Sequence, residues 1–302
     1  MDAETTADLD TLIRLAIDED LIGRLDCTTQ SLFPEPVRGS ARFVSRDEGR
    51  MAGIAVIRRV IDRVAPDLQL KTLVADGDPL AKKQHLATLS GDARDILLVE
   101  RTCLNFIGRL CGIATLTSRF ARLIQGTNAR LYDTRKTTPG WRRLEKYAVV
   151  CGGGHNHRMG LHDAILIKDN HLAMLQNANP NVEDIVGLAL TRAKAWIVEH
   201  ADELPFGTET RIQIEVDRLE QLDRALPHAP HMILLDNMKP DLLAEAVARR
   251  DQVNSAIELE ASGGVNLDTI RAIAETGVER ISVGAVTHSA TNFDIGLDWS
   301  LA

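Results

Sequence analysis

Residues 133–171 read DTRKTTPGWRRLEKYAVVCGGGHNHRMGLHDAILIKDNH, which sets Arg135, Lys136, His157, Arg158 and Lys168 among Pro139-Gly140 and the triplet Gly152-Gly153-Gly154. Arg and Lys are rarely buried without an anionic partner. Arg offers a planar fork to carboxylate or phosphate, and Lys a movable point charge. Glycine lets a backbone turn sharply or approach a ligand closely. Cations and bare backbone together point to a pocket for a small, highly charged anion. Two acids add to this: Glu215 ends the apolar run RIQIEV, and Asp236 lies at the end of HMILLD. A lone buried acid is costly, whereas two acids converging at one site suit Mg²⁺ or ribose hydroxyls. Ser262-Gly263-Gly264 and Ser282-Val283-Gly284-Ala285 each follow an apolar run, where backbone N–H groups can cradle phosphate oxygens.

The chain has 302 residues, 44% hydrophobic and 26% charged, the composition of an ordinary globular protein. Its net charge of −8 argues against nucleic-acid binding. Residues 101–160 nevertheless hold eleven Lys/Arg against two Asp/Glu, a cationic island able to focus an anionic substrate. No apolar run reaches the roughly 18 residues of a membrane span, and MDAETTADLD lacks the pattern of a signal peptide. Cys27, Cys103, Cys111 and Cys151 form no framework spacing, so reduced thiols and a cytoplasmic location are expected.

The elements that must carry these residues fall into two groups. Leu9, Leu12, Ile13, Ala16 and Ile17 predict an amphipathic helix over 7–22, followed by a loop at 24–36. Ala41, Phe43 and Ser45 alternate in a strand or hairpin that feeds a helix at 54–65. A strand at 68–80, a helix near 81–87, a strand at 95–101 and a long helix at 102–124 follow. Residues 1–115 are thus expected to form a small α+β domain, an open-sheet sandwich, onto which residues 289–302 pack back. Beyond it, ARLYDT (129–134), AILIKD (164–169), RIQIEV (211–216), HMILLDN (231–237), AIELEASGG (256–264) and RISVGA (280–285) alternate with helical segments. This predicts parallel βα units over residues 116–288. Six are clear, and a seventh is open in the region after 101. Distinctive residues close several runs, as in a barrel mouth, and no G-x-G-x-x-G follows the first strand. An incomplete (β/α) barrel is therefore preferred to a doubly wound sheet. Residues 173–210 form a long connection, read as a surface helix with loops.

DTRKT-x-PG, KYAV-x-CGGG-x-NHR-x-GL and D-x-x-LIK-[DE]-NH resemble the quinolinate phosphoribosyltransferases, also called carboxylating nicotinate-nucleotide pyrophosphorylases. The resemblance covers nearly the whole chain. It implies that quinolinate and phosphoribosyl pyrophosphate give nicotinate mononucleotide, pyrophosphate and CO₂, a step of NAD biosynthesis. It places Arg101, Arg135, Lys136, His157, Arg158 and Lys168 around quinolinate. It places Lys168, Glu215, Asp236, Ser262, Gly263, Gly264, Gly284 and His288 around phosphoribosyl pyrophosphate. Lys136, Glu215 and Asp236 are the catalytic candidates, and Glu215 and Asp236 the Mg²⁺ ligands. Arg101 would reach the neighbouring subunit's site, which makes a homodimer the catalytic unit.

Two alternatives stay in view: a paralogous phosphoribosyltransferase acting on another aromatic acid, nicotinate-like or a molybdenum-associated relative, and a silent barrel that senses phosphorylated nucleotides. Zinc at Cys151, His155, His157 and His162 is disfavoured, because C-x₃-H-x-H-x₄-H is not a structural zinc spacing. Cys151 reads as a small packing residue rather than a nucleophile.

Overall fold

The computed structural model describes residues 1–299; the last three residues of the 289–302 tail lie outside the described residues. In chain order the elements are α1 (Ala3–Leu21), α2 (Cys27–Leu32), β1 (Arg38–Ser45), β2 (Gly49–Arg50), α3 (Ile54–Val64), β3 (Gln69–Thr72), β4 (Pro79–Leu80), β5 (His85–Asp92) and α4 (Ala93–Leu123). They continue with β6 (Arg130–Tyr132), α5 (Arg142–Cys151), β7 (Ile165–Ile167), α6 (Asp169–Ala178), α7 (Ile185–Glu199), β8 (Ile212–Val216) and α8 (Leu219–Ala225). The chain closes with β9 (Met232–Asp236), α9 (Pro240–Val253), β10 (Glu258–Ser262), α10 (Ile270–Ala274), β11 (Arg280–Ser282), α11 (Ala285–His288) and β12 (Ile295–Trp299). One compact unit comprises residues 1–118, 136–154 and 286–299; the other comprises 119–135 and 155–285.

The first unit holds an antiparallel sheet in the order β12-β1-β5-β3. Ala41, Phe43 and Ser45 of β1 are all buried, as their alternation predicts. The start of α3 is held by Asp76, whose carboxylate accepts from the N–H groups of Gly53 (2.6 Å), Ile54 (2.9 Å) and Ala55 (3.4 Å). These donors would otherwise lack partners at a helix N-terminus. The Tyr147 hydroxyl of α5 donates to the same carboxylate.

Three local expectations are corrected. Residues 81–84 form a turn, and 85–87 begin strand β5, which pairs with β1 and β3. Residues 95–101 belong to helix α4. Seven apolar-rich residues cannot separate strand from helix by period alone, but buried Ile96, Val99, Cys103, Phe106, Leu110 and Ile113 follow helical spacing over the whole segment. The 24–36 loop contains α2, nucleated where Asp26 accepts from the Thr29 N–H at 3.0 Å.

The second unit holds six parallel strands in the order β6-β11-β10-β9-β8-β7. β6 and β7 are successive in the chain yet occupy opposite edges. This is the cyclic order of a (β/α) barrel opened at one seam, so the barrel is incomplete. A single parallel bridge joins Tyr132 to His155. The His155 N–H donates to Leu131 O at 2.8 Å, and the Asp133 N–H to His155 O at 3.0 Å. The region after 101, where the sequence left a seventh unit open, is the body of helix α4 and adds no strand to the sheet among the described residues. The 173–210 connection contains two helices, α6 and α7, with 3₁₀ turns at 201–203 and 207–209.

The glycine triplet has a packing role inside the first unit. A Cβ on Gly152 would meet Ala114 O at 2.5 Å and Thr117 Cβ at 2.6 Å. The end of α5 can therefore approach α4 only without a side chain there. Gly152→Ala is expected to destabilise the protein by about 1–3 kcal/mol or more through overpacking, read as a lower denaturant midpoint at unchanged slope.

Candidate active site

β8 and β10 place alternate side chains on one face of the parallel sheet. On β8 these are Gln213 and Glu215, and on β10 they are Glu258, Glu260 and Ser262. Along each strand the deeper polar residue is buried and the last one less so: Gln213 and Glu260 are buried, whereas Glu215 and Ser262 are partly exposed. The site therefore has a buried polar floor and an accessible rim at the C-terminal strand ends, where barrel enzymes build their chemistry.

The floor centres on Glu260, which has no exposed surface. Its Oε2 accepts from Arg280 Nε at 2.9 Å and from Gln213 Nε2 at 3.0 Å. His157 Nε2 lies 3.3 Å from its Oε1. The Arg280 guanidinium also sits 3.6 Å above the Tyr132 ring, a cation–π contact. Burial works to raise the Glu260 carboxyl, but the His157 and Arg280 donors outweigh it and hold the group at about 2.

Three expected cations of this unit are His157, Arg158 and Arg135. The His157 N–H donates to buried Asp133 at 2.7 Å. Arg158 is half-buried, and its Nη1 donates to Ala164 O at 2.9 Å. Its guanidinium is made less basic by burial and by Arg135, with Asp163 opposing. The Nε atoms of Arg135 and Arg158 are both buried without a hydrogen-bond partner among the described residues. Two mutually repelling guanidiniums with unused donors form a site built for an anion.

The rim carries the acids. Lys168 Nζ is 3.2 Å from Glu215 Oε2. Burial raises the Glu215 carboxyl, Lys168 lowers it, and Asp236 and Asp169 raise it further. Asp236 pairs in register with Ser262 and accepts from Asn237 Nδ2 at 2.7 Å. The Asn237 N–H donates to Ser262 O at 2.8 Å. Gly263 has φ +91°, and a Cβ there would lie 2.2 Å from Asn237 Oδ1, so only glycine fits this loop. Gly264 (φ +62°) continues the turn, and Gly284 follows β11 by two residues. Among the described residues no group of three or more His, Cys, Asp or Glu is arranged to hold a metal ion.

The structure thus brings Arg135, His157, Arg158, Lys168, Glu215, Asp236, Ser262, Gly263, Gly264 and Gly284 into one unit. Arg101, Lys136 and His288 belong to the other. There Arg101 is exposed on α4 and makes no ion pair among the described residues. Glu145, buried, pairs instead with Arg109 at 2.7 Å. Lys136 is exposed, and its carbonyl accepts from Thr287 Oγ1 at 2.8 Å. Exposed His288 pairs through Nδ1 with Ser289 Oγ at 2.8 Å. Cys151 is half-buried, with its thiol pushed up to about 11 by burial and then by Asp76, so it is not a ready nucleophile. Sequence reasoning missed Glu260, Gln213, Arg280 and Asp133. The signal available was alternation, since Glu258, Glu260 and Ser262 share one strand face, as do Gln213 and Glu215.

A parallel βα unit that carries paired guanidiniums, a buried acid and two acids at its strand ends has the charged groups of an enzyme rather than of an inert scaffold. Comparisons with known proteins narrow that class. Residues 113–298 match the model of the quinolinate phosphoribosyl transferase C-terminal domain, and residues 26–111 match that of the N-terminal domain. A nicotinate-nucleotide pyrophosphorylase [carboxylating] of Mycobacterium leprae is 42% identical, with 98% of this chain and 99% of that protein covered. A probable nicotinate-nucleotide pyrophosphorylase [carboxylating] of Bacillus subtilis is 39% identical over 93% of this chain and 90% of that protein. The solved nicotinate-nucleotide pyrophosphorylase of Francisella tularensis superposes with a TM-score of 0.86 at 34% identity, covering 98% of this chain and 97% of that one. The chain belongs to the quinolinate phosphoribosyltransferase family. It is therefore an enzyme of the phosphoribosyltransferase class.

A carboxyl held at about 2, below its ordinary 4.5, stabilises the fold fully above the ordinary value and loses that contribution as pH falls toward 2. Acid unfolding should therefore show a loss on the order of 3 kcal/mol between those limits. Glu260→Gln should flatten that limb in denaturant titrations run across the same pH range.

Proposed function

We propose that the protein transfers the phosphoribosyl group of phosphoribosyl pyrophosphate to the ring nitrogen of quinolinate, yielding nicotinate mononucleotide, pyrophosphate and CO₂ for NAD biosynthesis. The observation that carries this reading is the Arg135–Arg158 pair, whose buried Nε donors have no hydrogen-bond partner among the described residues. A pyridine dicarboxylate offers such a pair the two negative charges it needs, which a monocarboxylate cannot match. Each charge-assisted hydrogen bond contributes about 1.5–3 kcal/mol, so several together offset the dehydration of both carboxylates. We assign Arg135, Lys136, Arg158 and Lys168 to that task, with His157 in the pocket wall.

The ring nitrogen attacks C1 of the ribose as the bond from C1 to the pyrophosphate oxygen breaks. Oxocarbenium-like charge develops at C1, and the Glu215 and Asp236 carboxylates stabilise it. Lys168 keeps Glu215 oriented. The loops Ser262-Gly263-Gly264 and Gly284, with His288, are our candidates for holding the phosphates, and Lys136 for neutralising the leaving group. Mg²⁺ held by Glu215 and Asp236 would add positive charge to the pyrophosphate oxygens. The alkylated ring is a pyridinium, so the bond from C2 to its carboxylate can break with the electron pair left in the ring, to be quenched by a proton. The C3 carboxylate stays in place.

We further propose that the active form is a cytoplasmic homodimer. Exposed Arg101, without an ion pair of its own among the described residues, would be supplied to the partner's site. All four cysteines are free, in keeping with a reducing compartment.

Incubation with quinolinate, phosphoribosyl pyrophosphate and Mg²⁺ should release CO₂ and nicotinate mononucleotide in equal amounts. Turnover of nicotinate alone would identify a paralogue, and nucleotide binding without turnover a sensor. Arg158→Ala should weaken quinolinate binding about 10- to 150-fold, measured by calorimetry, and Lys136→Ala should lower kcat at least as much. Mixing inactive Arg101→Ala with inactive Lys136→Ala subunits should restore part of the activity. No recovery after demonstrated subunit exchange would rule out the shared site.

A further inference from the structure

Within the second unit, both ring nitrogens of His157 are already engaged by the protein. The Arg158 backbone N–H donates to His157 Nδ1 at 2.8 Å. An acceptor nitrogen carries no proton, so in the neutral ring the proton sits on Nε2. That nitrogen lies 3.3 Å from Glu260 Oε1, an ion-pair contact with a buried oxygen that has no hydrogen-bond partner among the described residues. The backbone on the near side is pinned as well, because the His157 N–H donates to Asp133 at 2.7 Å. A carboxylate buried at this depth would cost several kcal/mol without such donors.

The other oxygen of Glu260 is held from two strands. Gln213 on β8 and Arg280 on β11 both donate to Oε2, and Arg280 is itself braced by the Tyr132 ring of β6. The carboxylate is thus fixed by the sheet, and the imidazole is fixed by the carboxylate. The imidazole in turn anchors the backbone of Arg158, whose guanidinium has a spare buried donor beside Arg135.

We propose that Glu260 is a positioning residue for substrate binding, acting through His157 to hold Arg158 for a substrate carboxylate. His157, with no ring hydrogen to spare, serves that chain rather than donating to substrate itself. The proposal rests on the quinolinate reading above and deepens it. It makes a sharp distinction between the two substrates, because the Glu260–His157–Arg158 chain leads to the cations and not to the acids and glycine loops of the rim.

The test is a double-mutant cycle on quinolinate affinity, with Glu260→Gln, His157→Ala and the double variant, alongside the affinity for phosphoribosyl pyrophosphate. Each single variant should weaken quinolinate about tenfold and leave phosphoribosyl pyrophosphate within about twofold. The double variant should lose scarcely more than either single one, since residues acting in series are non-additive. A product of the two losses, about a hundredfold, would overturn the proposal, as would equal losses for both substrates. Should Glu260→Gln fail to fold, the wild-type enzyme still decides the matter by ¹⁵N spectroscopy of the His157 ring. The proton should stay on Nε2 at neutral pH when quinolinate saturates the site, whereas protonation of Nδ1 on binding would refute the chain. Failure of the wild type to bind quinolinate at all would instead refute the substrate reading, so the two outcomes are separable.

Discussion

A carboxylate with no exposed surface sits on the inner face of the parallel sheet, and every polar group around it is arranged to make that tolerable. Glu260 takes a guanidinium from β11 and an amide from β8 on one oxygen and faces an imidazole with the other. Removing any one donor would leave part of a buried charge unmatched, at a cost of several kcal/mol. The network therefore specifies how three strands and the short segment beside β6 sit together, because apolar packing alone would tolerate small slips in register that this network does not.

Side chains toward the C-terminal ends of the same sheet carry the opposite electrostatic condition. At the rim, Asp236 and Asp169 act against the Glu215 carboxylate, while Lys168 pairs with it. Nearby, Arg135 and Arg158 repel each other with donors to spare. Like charges kept close, with their repulsion unrelieved by the protein, are a stored preference for a ligand of opposite sign. A substrate pair that brings carboxylates to the guanidiniums and developing positive charge to the acids satisfies both at once.

Much of this was visible before the structure. The cation-rich stretch, the acids that end strands and the glycine loops were legible because each breaks a local rule: a charge after an apolar run, or a backbone without a side chain. The motifs were also long enough to support a family resemblance. Less legible were the elements around residues 81–101, where a short apolar run served helix α4 as well as it would have served a strand. The glycine triplet was misleading in part, since Gly152 is needed where α5 meets α4 at 2.5 Å from a carbonyl rather than where backbone meets ligand. Glu260 escaped notice because an acid inside AIELEASGG looks like one more polar residue on a half-exposed strand.

What the sequence determined by itself was the inventory: which side chains can grip an anion, which strand ends carry them, and the alternation of strand and helix, all set by local composition and period. What only tertiary structure decided was pairing. His157 and Glu260 are 103 positions apart, and nothing local says that an imidazole will meet that carboxylate and not solvent. Their meeting follows from sheet order and register, which depend on hydrogen bonds between strands distant in the chain. Burial then turns that meeting into a constraint, because a charge removed from water must find its partners inside the fold.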